Sequence, residues 1–364
     1  MPLEIGNFGL ALQPVFALSA LTGAFPASKG TVRSKFNLCV LSALSASLFY
    51  AMYRFSKFFL QSWRDHDKRE STLNLTNVLI LSANFVAGMA IPYTTLINPE
   101  RVHLILRGMQ KQAGLLSFDQ SPGYRGLRRR VWVKSVGSFA FMNFLFVYEP
   151  FLWPDYFLLL DLIGRLWSSV AIALVEAQVV CICDSFKQTF LLLNTRLSAN
   201  GANVNTLRKV HDNLSDCLSH FQDHYGLFIL SNVLYLFCSV TFGLYFSIIG
   251  MFQNLPNWEI VVKQAAVSNS WLLYAIYRTV NLTWLCGESL QEAKRTGVVL
   301  CKLLHFPLKC ERRREVMQFL QQLSHRSHEF RATGVLRMDN AMLLEMLGAV
   351  TTYFVIMVQF QNSL

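Results

Sequence analysis

Residues 341–364 read AMLLEMLGAV TTYFVIMVQF QNSL, and the fold turns on this stretch. It is an apolar run close to the roughly 20 residues with which a helix crosses about 30 Å of hydrocarbon. Within it Thr352 and Tyr353 precede an apolar block, Phe354 to Val358, which is followed by Gln359 and Phe360. At helical spacing Thr352, Ile356, Gln359 and Phe360 share one stripe. An amide deep in an apolar span is costly unless it meets water or another polar group. The pattern by itself leaves two readings. The stripe either walls a narrow wet pathway, or Gln359 hydrogen-bonds a neighbouring helix.

Working outward, the composition agrees with a membrane protein. The 364 residues are 53% hydrophobic and 15% charged, where a soluble domain carries about 25% charged residues. Apolar spans fall at 37–60, 74–97, 132–153, 157–182, 226–252, 265–286 and 341–362. Together they predict an all-α polytopic protein with seven transmembrane helices. Of its 33 Lys and Arg residues, twenty-five lie on one set of connections, counting Lys134 at the edge of the third span. Basic loops stay in the cytoplasm. The expected topology therefore has a cytoplasmic amino terminus and, after seven crossings, an extracellular carboxyl terminus, the reverse of a G-protein-coupled receptor. A net charge of +11 then needs no nucleic acid to explain it. The densest cluster, Arg125 with Arg128, Arg129 and Arg130, reads as a topology anchor beside anionic lipid.

Nothing in the sequence signals an enzyme: no P-loop, no G-x-G-x-x-G, no H-E-x-x-H and no G-x-S-x-G. The eight cysteines are scattered without zinc spacing and read as small core residues with reduced thiols. His325 and His328, and equally His211, His220 and His224, are expected on solvated faces, with no metal and no cofactor. Mixed charge with helical spacing in 183–225 and 287–340 predicts that spans four to six run on as helices beyond the membrane. The stripes Leu207, Val210, Leu214, Cys217 and Val316, Phe319, Leu320, Leu323 are their packing faces.

Ionisable residues inside spans are functional hypotheses. Asp161 and Arg165 stand four apart on span four and are expected to neutralise each other. Arg278 on span six is expected to snorkel to the cytoplasmic surface. An outward-opening ligand pocket needs converging aromatics and a few polar groups. The candidates are Tyr93, Asn143, Tyr148, Trp167, Tyr245, Trp271 and Tyr274, with Asp161 and Arg165 as possible ligand contacts. Each aromatic taken singly also fits an interface or packing role.

Thr352-Tyr353, the hydrophobic block and Gln359-Phe360 resemble the carboxyl-terminal signature of insect gustatory receptors. Span number, orientation, short amino terminus and long connection between spans six and seven resemble that family over the whole chain. The resemblance implies a tetrameric, ligand-gated, non-selective cation channel in the plasma membrane of a sensory neuron. Its partners would be a small-molecule tastant, permeating cations, lipid and other receptor subunits, as a homotetramer or heterotetramer. It further implies a cytoplasmic amino-terminal segment (1–36), a six-helix ligand-binding bundle (37–286), a cytoplasmic anchor region (287–340) and a pore-lining last helix (341–364). Carried over by position, Ile356 and Phe360 form the gate, with Gln359 beside them. Sugar-sensing members commonly carry an acidic residue after the Thr-Tyr pair, whereas this chain has Phe354. That departure favours bitter or other non-sugar tastants, with a fructose-like nutrient or a signalling receptor without channel activity as alternatives. A transporter would show inverted repeats and broken helices.

Overall fold

The computed structural model describes residues 99–117, 159–199, 203–252, 258–326 and 329–362, most of 126–148, and scattered positions between 12 and 90. Six helices organise the described part. They are α1 (Pro99–Leu115), α2 (Leu159–Ser198), α3 (Val204–Phe252), α4 (Trp258–Leu304), α5 (Cys310–His325) and α6 (Asn340–Asn362). A two-stranded antiparallel ribbon, β1 (Arg331–Ala332) and β2 (Leu336–Arg337), joins α5 to α6 and pairs Arg331 with Arg337 and Ala332 with Leu336. Among the described residues the expected all-α fold is helical except for this ribbon.

Spans four, five and six do run on beyond their apolar stretches. At about 1.5 Å per residue α3, with 49 residues, is about 74 Å long, more than twice the hydrocarbon thickness. Among the described residues three helical stretches are long and apolar enough to cross a membrane: Ser169–Ser198, Val204–Tyr245 and Asn340–Gln359. Tyr93 and Asn143, and most of the first two spans, lie outside the described residues.

Local chemistry sets the helix boundaries. Asn203 caps α3 by accepting the Thr206 N–H at 3.0 Å. Asp339 caps α6 by accepting the amides of Ala341 and Met342 at 3.1 and 3.2 Å. Beyond α4 the chain meets Pro307, which cannot continue a helix.

Side-chain pairing fixes the relative directions. Between α2 and α4 the partners keep a near-constant sequence offset. Arg278 pairs with Glu176 at an offset of 102, the Cys286 thiol meets Cys183 at 103, and Thr296 bonds Asn194 at 102. The two helices are therefore parallel. Against α3 the numbers run in opposite senses, Gln178 with Tyr225, Phe186 with Phe221 and Phe190 with His211. Between α3 and α5 the offset is 110 at Asn205–Glu315, Arg208–Gln318 and Asp216–Arg326, so α5 lies parallel to the first half of α3. The track continues through Thr333 on Gly226 to Tyr353 on Phe237, which makes α6 parallel to α3 as well. Helices that alternate in this way suit successive crossings of one membrane.

The main core lies where α1 to α5 and the ribbon converge. Tyr225, Phe186, Phe190, Phe221, Phe228, Phe319 and Phe330 are its largest fully buried side chains. Leu207, Val210, Leu214, Cys217, Val316 and Phe319 are buried, and Leu320 and Leu323 pack on them. His211 and His224 correct the expectation of solvated faces. Both are buried, His211 edge-on between Phe190 and Phe319 and His224 against Tyr225. Their stripes face inward because α3 is enclosed there by α1, α2 and α5. His220 and His325 are exposed, and His328 lies outside the described residues. Of the cysteines, Cys181, Cys183, Cys217 and Cys286 are buried, Cys238 is half-buried, and Cys39, Cys301 and Cys310 are exposed; none of the eight is in a disulfide. Arg130 of the basic cluster reaches the buried carboxylate of Asp184 at 3.2 Å.

Candidate functional site

The last helix carries the signature on a face that its own chain leaves open. Only 11% of its apolar window is buried, against 89% for the window on α2. Leu344, Leu347, Gly348, Thr351, Thr352, Val355 and Ile356 line a shallow groove along it. Gln359, exposed, follows Ile356 one turn on. The Thr352 hydroxyl donates to the Gly348 carbonyl at 2.9 Å, which satisfies it within the helix. Tyr353 leans away from this stripe and packs edge-on against Phe237 at 5.9 Å. The backbone at Phe360 is helical, and its side chain lies outside the described residues, as do those of Asp161, Arg165 and Trp167 on α2. Met342 and Val350 are the residues of α6 that the core encloses.

The second polar constellation lies inside the bundle. The Arg278 guanidinium on α4 is 4% exposed and donates from Nε to Glu176 of α2 at 2.7 Å. It donates also to the Asn232 side-chain oxygen of α3 at 3.2 Å. Tyr274 and Tyr235 present their rings to it at 5.4 and 5.8 Å. Arg278 therefore does not snorkel. A carboxylate on the facing helix neutralises it in place, and two aromatic faces cover the ion pair. Sequence reasoning found Arg278 and missed Glu176. With Asp161 and Arg165 four apart on span four, Glu176 was the charge left over there and Arg278 the one on span six; that was the available signal, because a buried charge requires a partner.

Of the pocket candidates, the structure brings Trp271 and Tyr274 together at 6.3 Å, beside Met142, Leu145 and Ala173. Phe141 meets Tyr274 at 5.4 Å, and Tyr148 stacks on Phe144 at 5.6 Å. Tyr245 is buried on α3 near the crossing where Gly243 faces Leu272, so it stands at the same level of the bundle as Trp271. No cluster of three or more metal-ligating side chains occurs among the described residues.

Comparison with known proteins places these features in a family. The 7tm chemosensory receptor family model matches residues 12–363. The chain is 25% identical over 169 residues to the gustatory receptor for sugar taste 43a of Drosophila melanogaster, a match covering 45% of this chain and 37% of that one. It is 28% identical over 167 residues to the gustatory receptor for bitter taste 66a of the same fly, covering 43% and 30%. The chain thus spans about a third of the length of these curated relatives. In fold it resembles the insect olfactory receptor OR5 of Machilis hrabei, with a TM-score of 0.73 at 10% identity over 96% of this chain and 97% of that one. The complex of that receptor with eugenol matches at a TM-score of 0.65. With nearly all of its length matched, the chain belongs to the 7tm chemosensory receptor family, with insect gustatory receptors among its relatives, and is a multi-pass membrane receptor and not an enzyme.

Proposed function

We propose that this receptor is a ligand-gated, non-selective cation channel of the plasma membrane, built from four subunits whose last helices line a central pore. The observation that carries the reading is the open face of α6. The apolar residues of this helix can face lipid, but the Gln359 amide, on one exposed stripe with Thr352 and Ile356, calls for water or polar neighbours. Copies of itself around an axis supply them. Ile356 and Phe360 then close the pore by dewetting, and a small rotation that presents Gln359 opens it. Seven crossings place the amino terminus inside and the carboxyl terminus outside. The parallel course of α3 and α6 supports that alternation, and the basic connections support its sense. In this arrangement residues 1–36 are cytoplasmic, 37–286 form the ligand-binding bundle, 287–340 the cytoplasmic anchor and 341–364 the pore helix.

The pocket opens outward around Trp271 and Tyr274, with Tyr148, Tyr245, Tyr93, Asn143, Trp167 and the Asp161–Arg165 pair as further contacts. A bitter or other non-sugar tastant fits the apolar Phe354 after the Thr-Tyr pair. A fructose-like ligand is the second reading, favoured by the match to a receptor for sugar taste. Ligand binding gates only to the extent that it binds the open state more tightly.

Current through the purified protein in a synthetic bilayer, compared with Gln359→Ala and Phe360→Ala, tests the assignment. The expected result is cation current whose conductance or resting leak changes in both variants. A current indifferent to both substitutions removes them from the pore.

A further inference from the structure

The ribbon between α5 and α6 turns at a strained residue. The Val335 N–H donates to the Ala332 carbonyl at 3.1 Å, and the residues between them, Thr333 and Gly334, have φ of 52° and 74°. This is a type I′ turn, which requires positive φ at both centres and favours Asn-Gly. A β-branched residue at the first centre is held there only where its surroundings over-determine it.

Those surroundings are the bare backbone of α3. A Cβ built on Gly226 would lie 2.8 Å from the Thr333 amide nitrogen and 3.6 Å from its methyl group. The rest of the ribbon is sunk into the core through Phe330, Ala332 and Met338, each no more than 1% exposed. On its approach, Arg326 pairs with Asp212 and Asp216 at 2.6 and 2.9 Å, and Gln222 donates to the Glu329 carbonyl at 2.9 Å.

The last helix depends on this seat, because so little of its own surface is held. Its 23 residues make a rod about 35 Å long, so a displacement at its foot is carried to its far end. The same α3 that carries Gly226 also carries Asn232, which accepts from the buried Arg278. A rotation of α3 against α2 and α4 therefore arrives at the turn.

We infer that Gly226 and Thr333 form a pivot seat that sets the resting tilt of the last helix, and so act as positioning residues for gating. The inference rests on the channel reading above. An alanine at 226 forces the Thr333 amide to retreat by about 0.6 Å to reach ordinary contact. That tilts α6 without touching any residue of its open face. Spatial adjacency alone does not establish coupling, so the test is a double-variant cycle.

Single-channel recording of the chain in planar bilayers, at rest and with D-fructose, denatonium and eugenol as probes, compares four forms with the unsubstituted chain. These are Gly226→Ala, Thr333→Gly and their double variant, in which glycine lets the turn yield, which together close the cycle, and Thr333→Asn. Unitary conductance and reversal potential are expected to stay unchanged. Open probability is expected to shift at least five-fold in Gly226→Ala and at least two-fold in Thr333→Asn, and to return toward the original value in the double variant. A purely structural role would lower yield and melting temperature while leaving the open probability of each surviving channel unchanged. Should Gly226→Ala fail to fold, Thr333→Asn carries the test, since it leaves α3 intact. Unchanged open probability in every folded variant overturns the pivot and leaves the channel standing. Silence of all folded forms overturns the channel reading, and the pivot falls with it.

Discussion

Arg278 and Glu176 would each be intolerable alone at their depth. Removing one partner of a buried pair leaves an uncompensated charge, whereas removing both is far milder. Arg278→Met is therefore expected to destabilise the protein by roughly 3–5 kcal/mol, read as a lower melting temperature in detergent. Glu176→Gln/Arg278→Met should recover much of that loss, and a double variant no better than the single would refute the pairing. Glu329 offers a pH handle outside the membrane. The Arg331 side chain that donates to it, and then the charge of that arginine, hold its carboxyl below the ordinary carboxylate value of 4.5. With the folded value depressed, the contact contributes above the unfolded value and is lost as pH falls through the folded one. Amide protection of 330–338 should therefore weaken slightly in mild acid, and Glu329→Gln should flatten that limb. The pair faces solvent, so the effect is small. At this scale the sequence was readable where a residue type has few solutions, as with Cys181, Cys183, Cys217 and Cys286, which are small core residues. It was opaque where the solution lies a hundred residues away, as Arg278 shows. His211 and His224 misled for a related reason: a polar side chain on a helix gives no sign of how many other helices surround it.

Helix elements were far more legible. Apolar runs of twenty residues followed by heptad-like stripes announce long helices, and α2, α3 and α4 take that form. The ribbon was hidden because two strands of two residues each carry no periodicity, and its turn uses Thr-Gly where Asn-Gly would have been recognisable. Helix contacts through glycine were hidden too, since a missing side chain leaves no pattern. Gly108 on α1 illustrates this: a Cβ there would meet the Cys217 sulfur at 2.4 Å. Gly108→Ala is expected to cost roughly 1–3 kcal/mol by overpacking. Cys217→Ala in the same chain should restore the melting temperature by making room. Equal losses in the single and double variants would show that α1 and α3 do not meet there.

For the whole molecule, the proposed channel assigns the open face of α6 to contacts between copies. Solubilised receptor is expected to have a protein mass four times that of the 41.5 kDa chain, measured by light scattering with the detergent subtracted. Leu347→Asp, on the open face, should reduce the assembled fraction without lowering the yield of folded chains. A monomer of unchanged activity would remove the face from assembly.

The offset of 110 that binds α5 to α3 also makes the connecting chain a ruler. Arg326 is tied to Asp216, Thr333 rests on Gly226, and a Cβ built on Gly287 would lie 3.8 Å from the Asn340 side-chain oxygen, so each stage between α5 and α6 has a fixed partner. One residue inserted between 326 and 340 would break the spacing between these contacts, so that either the ribbon or the foot of the last helix would leave its seat. The turn at 305–309 has a looser gauge: Phe306 is 65% exposed, the backbone bonds of His305 and Phe306 are local, and Leu308 is the residue there that packs on the core. Receptors of this design can thus vary in length before α5 and remain in register, while the stretch after it is held to count.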